Sequence, residues 1–406
     1  MRLPSLFLAL LTLGMGARPG LAQAAPCCTV TLQVTVPANV DTVYLAGSLP
    51  ALGGWRPDGL ALQGTGTART ASLTVPPGTA FEYKFTLGTW AREALTFAGV
   101  VPPNHRLTVA RDTTVRHVVE DFKKPVEAYI ADWQGSGVKG RLVYWTDFPS
   151  AVLGIPRHVE VWLPPGYDRS GSRRYPVLYM SDGQNLFDPR IANTGVDWGV
   201  DEAVVRLVER GVIPPVIVVG AWSTNRRGPE YNPWGEADKY ARFLTDELMP
   251  RVNREFRTRT GPANTAVMGS SMGGLLSFYL VSRHPDVFGA CGCVSTHFPL
   301  SEAVVARFFG SPTSETADTT PYILRDIAAG FTVPKGTRYW FDYGTTTLDS
   351  LYGPTHAEVR AWLLRQGLRE GRDFVVRAYP GAAHNEASWR ARLEDPLTFL
   401  FGKQAR

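Results

Sequence analysis

Cysteine is scarce in this chain, with four in 406 residues. They fall in two close pairs, Cys27-Cys28 and Cys291/Cys293, which excludes a disulfide-stapled scaffold. Cys291 and Cys293 alternate in a strand-like stretch, 289–295, where they share a face too far apart for an unstrained bond. Buried thiols are expected there, and Cys27-Cys28 stays unassigned. Histidine is sparse as well, with seven. Neither H-E-x-x-H nor a paired-cysteine ligand spacing occurs, so metal-dependent chemistry is disfavoured and no cofactor is expected. Charge of one sign is never concentrated. Lys and Arg number 42 against 37 Asp and Glu, a net +5, yet no run of five or six like charges exists, which argues against nucleic-acid binding. Long apolar runs are confined to residues 3–15, too short to span a membrane. No internal repeat is visible.

What is present begins with that N-terminal stretch. Met1-Arg2 precede the apolar run, and Ala22-Gln23-Ala24 follow as a small-x-small cleavage site, the pattern of an export signal over 1–24. A periplasmic or secreted protein with no membrane span is expected.

Residues 25–121 read as short strands at period two, punctuated by Pro and Gly: 30–36, 42–47, 70–75, 81–87, 105–110 and 114–120. That is the pattern of a small antiparallel β-sandwich. The phrases Val43-Tyr44-Leu45-Ala46-Gly47-Ser48, Leu52-Gly53-Gly54-Trp55 and Phe81-Glu82-Tyr83-Lys84-Phe85, with Trp90 and Asn104-His105-Arg106, resemble the starch- and glycogen-binding modules. The resemblance implies that Trp55 and Trp90 stack on sugar faces, and a glycan is an expected partner. Tryptophans that fill the module's core are the alternative. A linker follows over 122–137, marked by Lys123-Lys124-Pro125 and Gln134-Gly135-Ser136-Gly137.

Over 138–406, apolar strands alternate with helical patterns. This predicts an α/β domain, a mostly parallel sheet with helices on both faces. Strands are expected at 158–163, 176–180, 215–220, 265–268, 289–295, 338–343 and 374–378, and helices at 198–210, 236–256, 274–283, 356–366 and 387–401. Between the 265–268 strand and its helix sits Gly269-Ser270-Ser271-Met272-Gly273, a G-x-S-x-G nucleophile elbow that nominates Ser271. A serine alkoxide does not exist at neutral pH, so Ser271 needs a base, and the base needs an orienting acid. Chain order in such folds runs Ser, acid, His. His105, His117 and His158 come too early, His284 caps the elbow's own helix and His356 is placed on a surface helix. His384, in a loop after the last strand, is the base by elimination, with His297 a rim residue. For the acid, Asp349 past the 338–343 strand is preferred over Asp342 within it. The N–H of Met272 supplies one oxyanion donor, and that of Gln184, in Ser181-Asp182-Gly183-Gln184-Asn185, supplies the second.

These phrases, with Leu163-Pro164-Pro165-Gly166-Tyr167-Asp168, Asn225-Arg226-Arg227, Glu230-Tyr231 and Pro380-Gly381, resemble the esterase family of α/β-hydrolases. That family includes enterochelin, feruloyl and acetylxylan esterases, S-formylglutathione hydrolase and the mycolyltransferases. The resemblance implies a serine esterase in which Ser271 and His384 are nucleophile and base and Met272 and Gln184 oxyanion donors. Three threonines stand where many relatives place the carboxylate, which leaves Asp349 the nearest one. Trp198, Arg227, Tyr231 and His297 are expected around the substrate, with Arg227 either holding it or paired to Glu230. Siderophore lactones and carbohydrate-linked acyl or feruloyl esters are the expected substrates. Acyl transfer to another alcohol, and glycan binding by an inert hydrolase domain, are the rival readings.

Overall fold

The computed structural model describes residues 27–403 apart from 39, 97–100, 132–136, 170, 225 and 310–316. The export signal expected over 1–24 lies outside the described residues. Backbone packing divides the chain into two compact units. The smaller takes the chain up to Gly88 together with Pro103–Val119, and the larger takes Thr89–Pro102 and Glu120–Arg406.

The smaller unit is two facing sheets. In one, Cys28–Thr35 lies between Ala68–Val75, antiparallel, and Thr113–Val118, parallel. In the other, Leu60–Ala61, Tyr44–Gly47, Thr79–Thr86 and His105–Val109 run antiparallel in that spatial order. Period two decides which face is buried: Val30, Leu32 and Val34 are inside while Thr29, Thr31 and Gln33 are not.

The larger unit is built on an eight-stranded sheet. Its strands are β1 (Arg141–Phe148), β2 (Arg157–Leu163), β3 (Val177–Ser181), β4 (Ile217–Ala221), β5 (Thr265–Ser270), β6 (Ala290–Val294), β7 (Arg338–Gly344) and β8 (Phe374–Tyr379). The spatial order is β1-β2-β4-β3-β5-β6-β7-β8, with the first two pairings antiparallel and the rest parallel. Strands β3, β4, β5 and β6 are buried at every residue, as a parallel sheet covered on both faces requires. Along β3 the side chains alternate between two cores: Tyr179 packs with Val219, Val267 and Leu276, while Leu178 and Met180 pack with Val218, Met268 and Leu397. Edge strand β8 carries Arg377 outward against Asp395, which blunts the edge. This is the expected α/β class.

The helices differ in detail from the sequence pattern. The 236–256 stretch is one helical run, Ala237–Arg242 and Met249–Glu255 joined through a π turn at Phe243–Leu248. The last helix divides at Leu393 into Glu386–Arg392 and Glu394–Phe401. Strand β1 and helices Glu302–Phe309 and Tyr322–Ala328 had no expectation attached. The linker stretch is not featureless, since Asp121–Phe122 pairs with Ala94–Leu95 and Val126–Ile130 is helical. Among the described residues no helix is long and apolar enough to cross a membrane.

Candidate active site

Strand β5 ends at Ser270, and helix Met272–Arg283 begins two residues later. Ser271 between them has φ 55° and ψ −120°, a conformation that costs an L residue on the order of 1–3 kcal/mol. Backbone bonds hold it there: its N–H donates to Val294 O at 2.9 Å, and its carbonyl accepts from His297 N at 3.2 Å and Leu275 N at 3.1 Å. The glycine requirement has a named cause. A Cβ on Gly269 would lie 2.1 Å from Ser181 Oγ, and one on Gly273 2.3 Å from the same atom. One buried serine of β3 therefore accounts for Gly273 and, with the Gly273 backbone 2.8 Å away, for Gly269.

At the ends of β7 and β8, Asp349 Oδ1 lies 2.5 Å from His384 Nδ1. Its other oxygen accepts from Ser295 Oγ at 2.5 Å and Gly344 N at 2.6 Å. Burial alone would push the Asp349 carboxyl up, but these hydrogen bonds, that of His384 foremost, hold it below the usual carboxylate range. The threonines at 345–347 tie down the histidine loop. Thr347 Oγ1 accepts from His384 N, Thr345 Oγ1 accepts from Gly381 N, and Thr346 Oγ1 donates to Ala382 O. Asp342 does other work: fully buried, it accepts from Ser295 N, Trp340 Nε1 and Arg392 Nη2.

Tyr352 touches two of the imidazoles, those of His297 and His384. Its hydroxyl is 2.6 Å from His297 Nδ1, and its ring meets His384 edge-on at 5.7 Å. Burial, then the nearby His384 and Arg227, pushes His297 down to about 4, so its ring is neutral.

Met272 opens the elbow helix and Gly183–Asn185 is a single turn following β3. N–H groups in such first turns have no partner within the helix. The Gln184 side chain is held by Ser223 through two hydrogen bonds, 2.8 and 3.1 Å, so the turn is fixed in place. Arg227 does not pair with Glu230. It forks onto Asp182 with two bonds of 2.7 Å, and Glu230 pairs instead with Arg157. Tyr231 OH accepts from Asp182 N.

Four placements differ from expectation. Trp198 is buried against Trp389, whose ring in turn meets His384 at 5.1 Å, so Trp198 lies one layer behind the site. Tyr231 is fully buried and braces the Asp182 loop instead of facing a substrate. His297 is buried, not on a rim, and His356 is buried, with Nδ1 2.9 Å from Tyr352 O, not on a surface helix. Neighbour-in-sequence patterns cannot tell a loop's inner face from its outer one. Trp55 is half-buried in the smaller unit with φ 70°, whereas Trp90 belongs to the larger. Cys291 and Cys293 are buried free thiols, with sulfurs 3.2 Å apart. Ser295, Tyr352, Trp389 and Arg392 had no expectation. Ser295-Thr296-His297 at the end of β6 was the one usable signal, a polar cluster at the sheet's carboxyl edge.

Among the described residues one acidic group, Asp197, Asp201 and Glu202, brings its oxygens within 4.8 Å of one another. Arg390 already bonds Asp197 at 2.6 Å and Glu202 at 3.2 Å. Burial, and then Glu202 beside it, pushes the Asp201 carboxyl up to about 8.

Comparison with known proteins gives two family matches: an esterase model described as "Putative esterase" over residues 150–400, and a starch binding domain over residues 27–119. The endo-1,4-beta-xylanase/feruloyl esterase of Xylanibacter ruminicola is 29% identical over 221 residues, covering 48% of this chain and 28% of that protein. The uncharacterized protein YbbA of Bacillus subtilis is 26% identical over 152 residues, 34% of this chain and 56% of that one. The chain thus spans about half the length, or less, of the curated relatives it matches. A solved ferulic acid esterase is 22% identical with TM-score 0.49, covering 65% of this chain and 98% of that one. The enterobactin esterase of Shigella flexneri, solved with 2,3-dihydroxy-N-benzoyl-serine, is 15% identical with TM-score 0.49, covering 91% and 92%. Since the esterase match takes in well over half of the residues, the chain belongs to that esterase family.

Proposed function

We propose that this protein is a serine esterase that hydrolyses carboxylic esters through an acyl-enzyme on Ser271. His384 takes the Ser271 proton as the hydroxyl attacks the ester carbonyl, and Asp349 holds the imidazole's tautomer and stabilises the imidazolium. The N–H groups of Met272 and Gln184 receive the oxyanion. Collapse of the tetrahedral intermediate expels the alcohol, which takes the proton from His384. Water then enters by the same base and releases the acid. The observation that carries the reading is the strained Ser271 turn at the end of one strand of the sheet, together with an imidazole after the last strand whose Nδ1 lies 2.5 Å from a buried carboxylate. The family match supports it, and the feruloyl esterase relative supports a carbohydrate-linked acyl or feruloyl ester as substrate, with a siderophore lactone as the alternative. The starch-binding match supports glycan contact by the smaller unit, with Trp55 as its stacking residue. Ser271→Ala tests the mechanism. It should abolish hydrolysis of a short p-nitrophenyl ester and fluorophosphonate labelling while leaving the melting temperature nearly unchanged. Retained hydrolysis would reject the acyl-enzyme.

A further inference from the structure

Trp90 lies inside the segment that matches a starch-binding domain, yet the chain does not pack it there. Thr89–Pro102 belongs to the larger unit. Its turn Trp90–Arg92 is anchored by the pairing of Ala94–Leu95 with Asp121–Phe122 and by Lys123 N–H donating to Glu93 O at 2.9 Å. In that unit Trp90 lines a cleft of about 670 Å³ together with Tyr129, His158, Trp222, Gln184 and Arg227. That volume falls in the range of small-molecule sites, and three of its walls are aromatic. Two of the residues that line the cleft border the proposed chemistry. Gln184 is the proposed oxyanion donor, and Arg227 Nη2 lies 3.5 Å from Ser270 O, one residue from the nucleophile. Trp90 is half-buried and lines the cleft. Trp222, by contrast, is buried with its ring 5.1 Å from that of His158, which makes it a fixed wall.

We propose that Trp90 is a specificity-determining residue of the ester site, stacking on a flat aromatic ring carried by the acyl half of the substrate. The inference rests on the esterase reading above. A ring between tryptophan and tyrosine faces gains offset or edge-to-face contact that a saturated ring of the same size does not, so the prediction concerns aromaticity and not bulk alone.

The test measures kcat/KM of the full chain on methyl esters, which bring no aryl leaving group: methyl cinnamate, its saturated-ring analogue methyl 3-cyclohexylpropanoate, and methyl butanoate. The wild type should prefer the cinnamate. In Trp90→Ala, and in Trp90→Leu, which keeps apolar bulk, the cinnamate-to-butanoate ratio should fall about tenfold, and Trp90→Phe should restore most of it. Amylose affinity should not change. An unchanged ratio, an equal loss on all three esters, or a loss of amylose binding would overturn the assignment. If the wild type hydrolyses no ester, the esterase reading itself falls and takes this one with it.

Discussion

The elbow glycines invite a double substitution. An alanine Cβ at Gly273 would stand 2.3 Å from Ser181 Oγ, but 3.4 Å from Ser181 Cβ and 3.5 Å from Asp182 Oδ2. Only one atom is in the way. That hydroxyl is buried without a hydrogen-bond partner, so removing it sacrifices no bond and relieves a desolvated polar group. Gly273→Ala alone should therefore destabilise by about 1–3 kcal/mol, the usual cost of forcing atoms into a packed interior. Ser181→Ala should be neutral or slightly stabilising. The double variant should recover the loss, helped by about 0.5–1 kcal/mol from replacing glycine inside a helix. Thermal unfolding of the full chain by circular dichroism is the assay. A 1 kcal/mol change shifts the midpoint of a unit this size by about 2–4 °C. Gly269 is a useful contrast, because its Cβ would also meet the Gly273 backbone at 2.8 Å, so Ser181→Ala should rescue Gly269→Ala only in part. If Gly273→Ala is harmless alone, or the double variant is no better than it, the packing argument for the motif is wrong.

Two further predictions separate neighbouring carboxylates. Asp349→Asn should lower kcat on a p-nitrophenyl ester by about 10⁴-fold with little loss of stability, since the amide disturbs the imidazole's tautomer. Asp342→Asn, which leaves the buried Arg392 with a weaker partner, should instead lower the melting temperature and leave kcat within tenfold, so the reverse pattern would exchange their roles. Asp201 carries a pH prediction. Its folded value of about 8 lies above the ordinary 3.8, so its contribution to stability is complete below pH 4 and is lost as pH rises through 8. Asp201→Asn, a permanently neutral mimic, should gain melting temperature over wild type at pH 8.5 and gain little at pH 4.5. A gain that shrinks with rising pH would refute the assignment.

Much of the α/β unit is legible in the sequence because its strands are short apolar runs between turn residues, and the central ones are buried on both faces. Strand β1 escapes because its alternation, half-buried with an irregular register near Phe148, reads like an edge of the linker. At the site, Ser271 stands out because a five-residue pattern encodes a local strain. His384 follows from counting histidines. Choosing between Asp342 and Asp349 by position alone leaves both open, and it is contact geometry that puts Asp349 on the imidazole. The threonines at 345–347 look like a departure from the family, and in the fold they are what fixes the histidine loop. Tyr352, Ser295 and Arg392 are illegible for a different reason: each acts through contacts 50 to 100 residues away in the chain. Trp198 and Tyr231 stand in the right loops but point inward, which no spacing rule foretells.

The backbone at position 271 favours a residue other than the one it holds. With φ at 55° and ψ at −120°, glycine would rest there without strain. A directed-evolution campaign that selected this protein for heat resistance alone would be drawn toward glycine at 271, and would discard its hydroxyl among its early gains. Any stabilising library for this chain therefore needs an activity screen run alongside it.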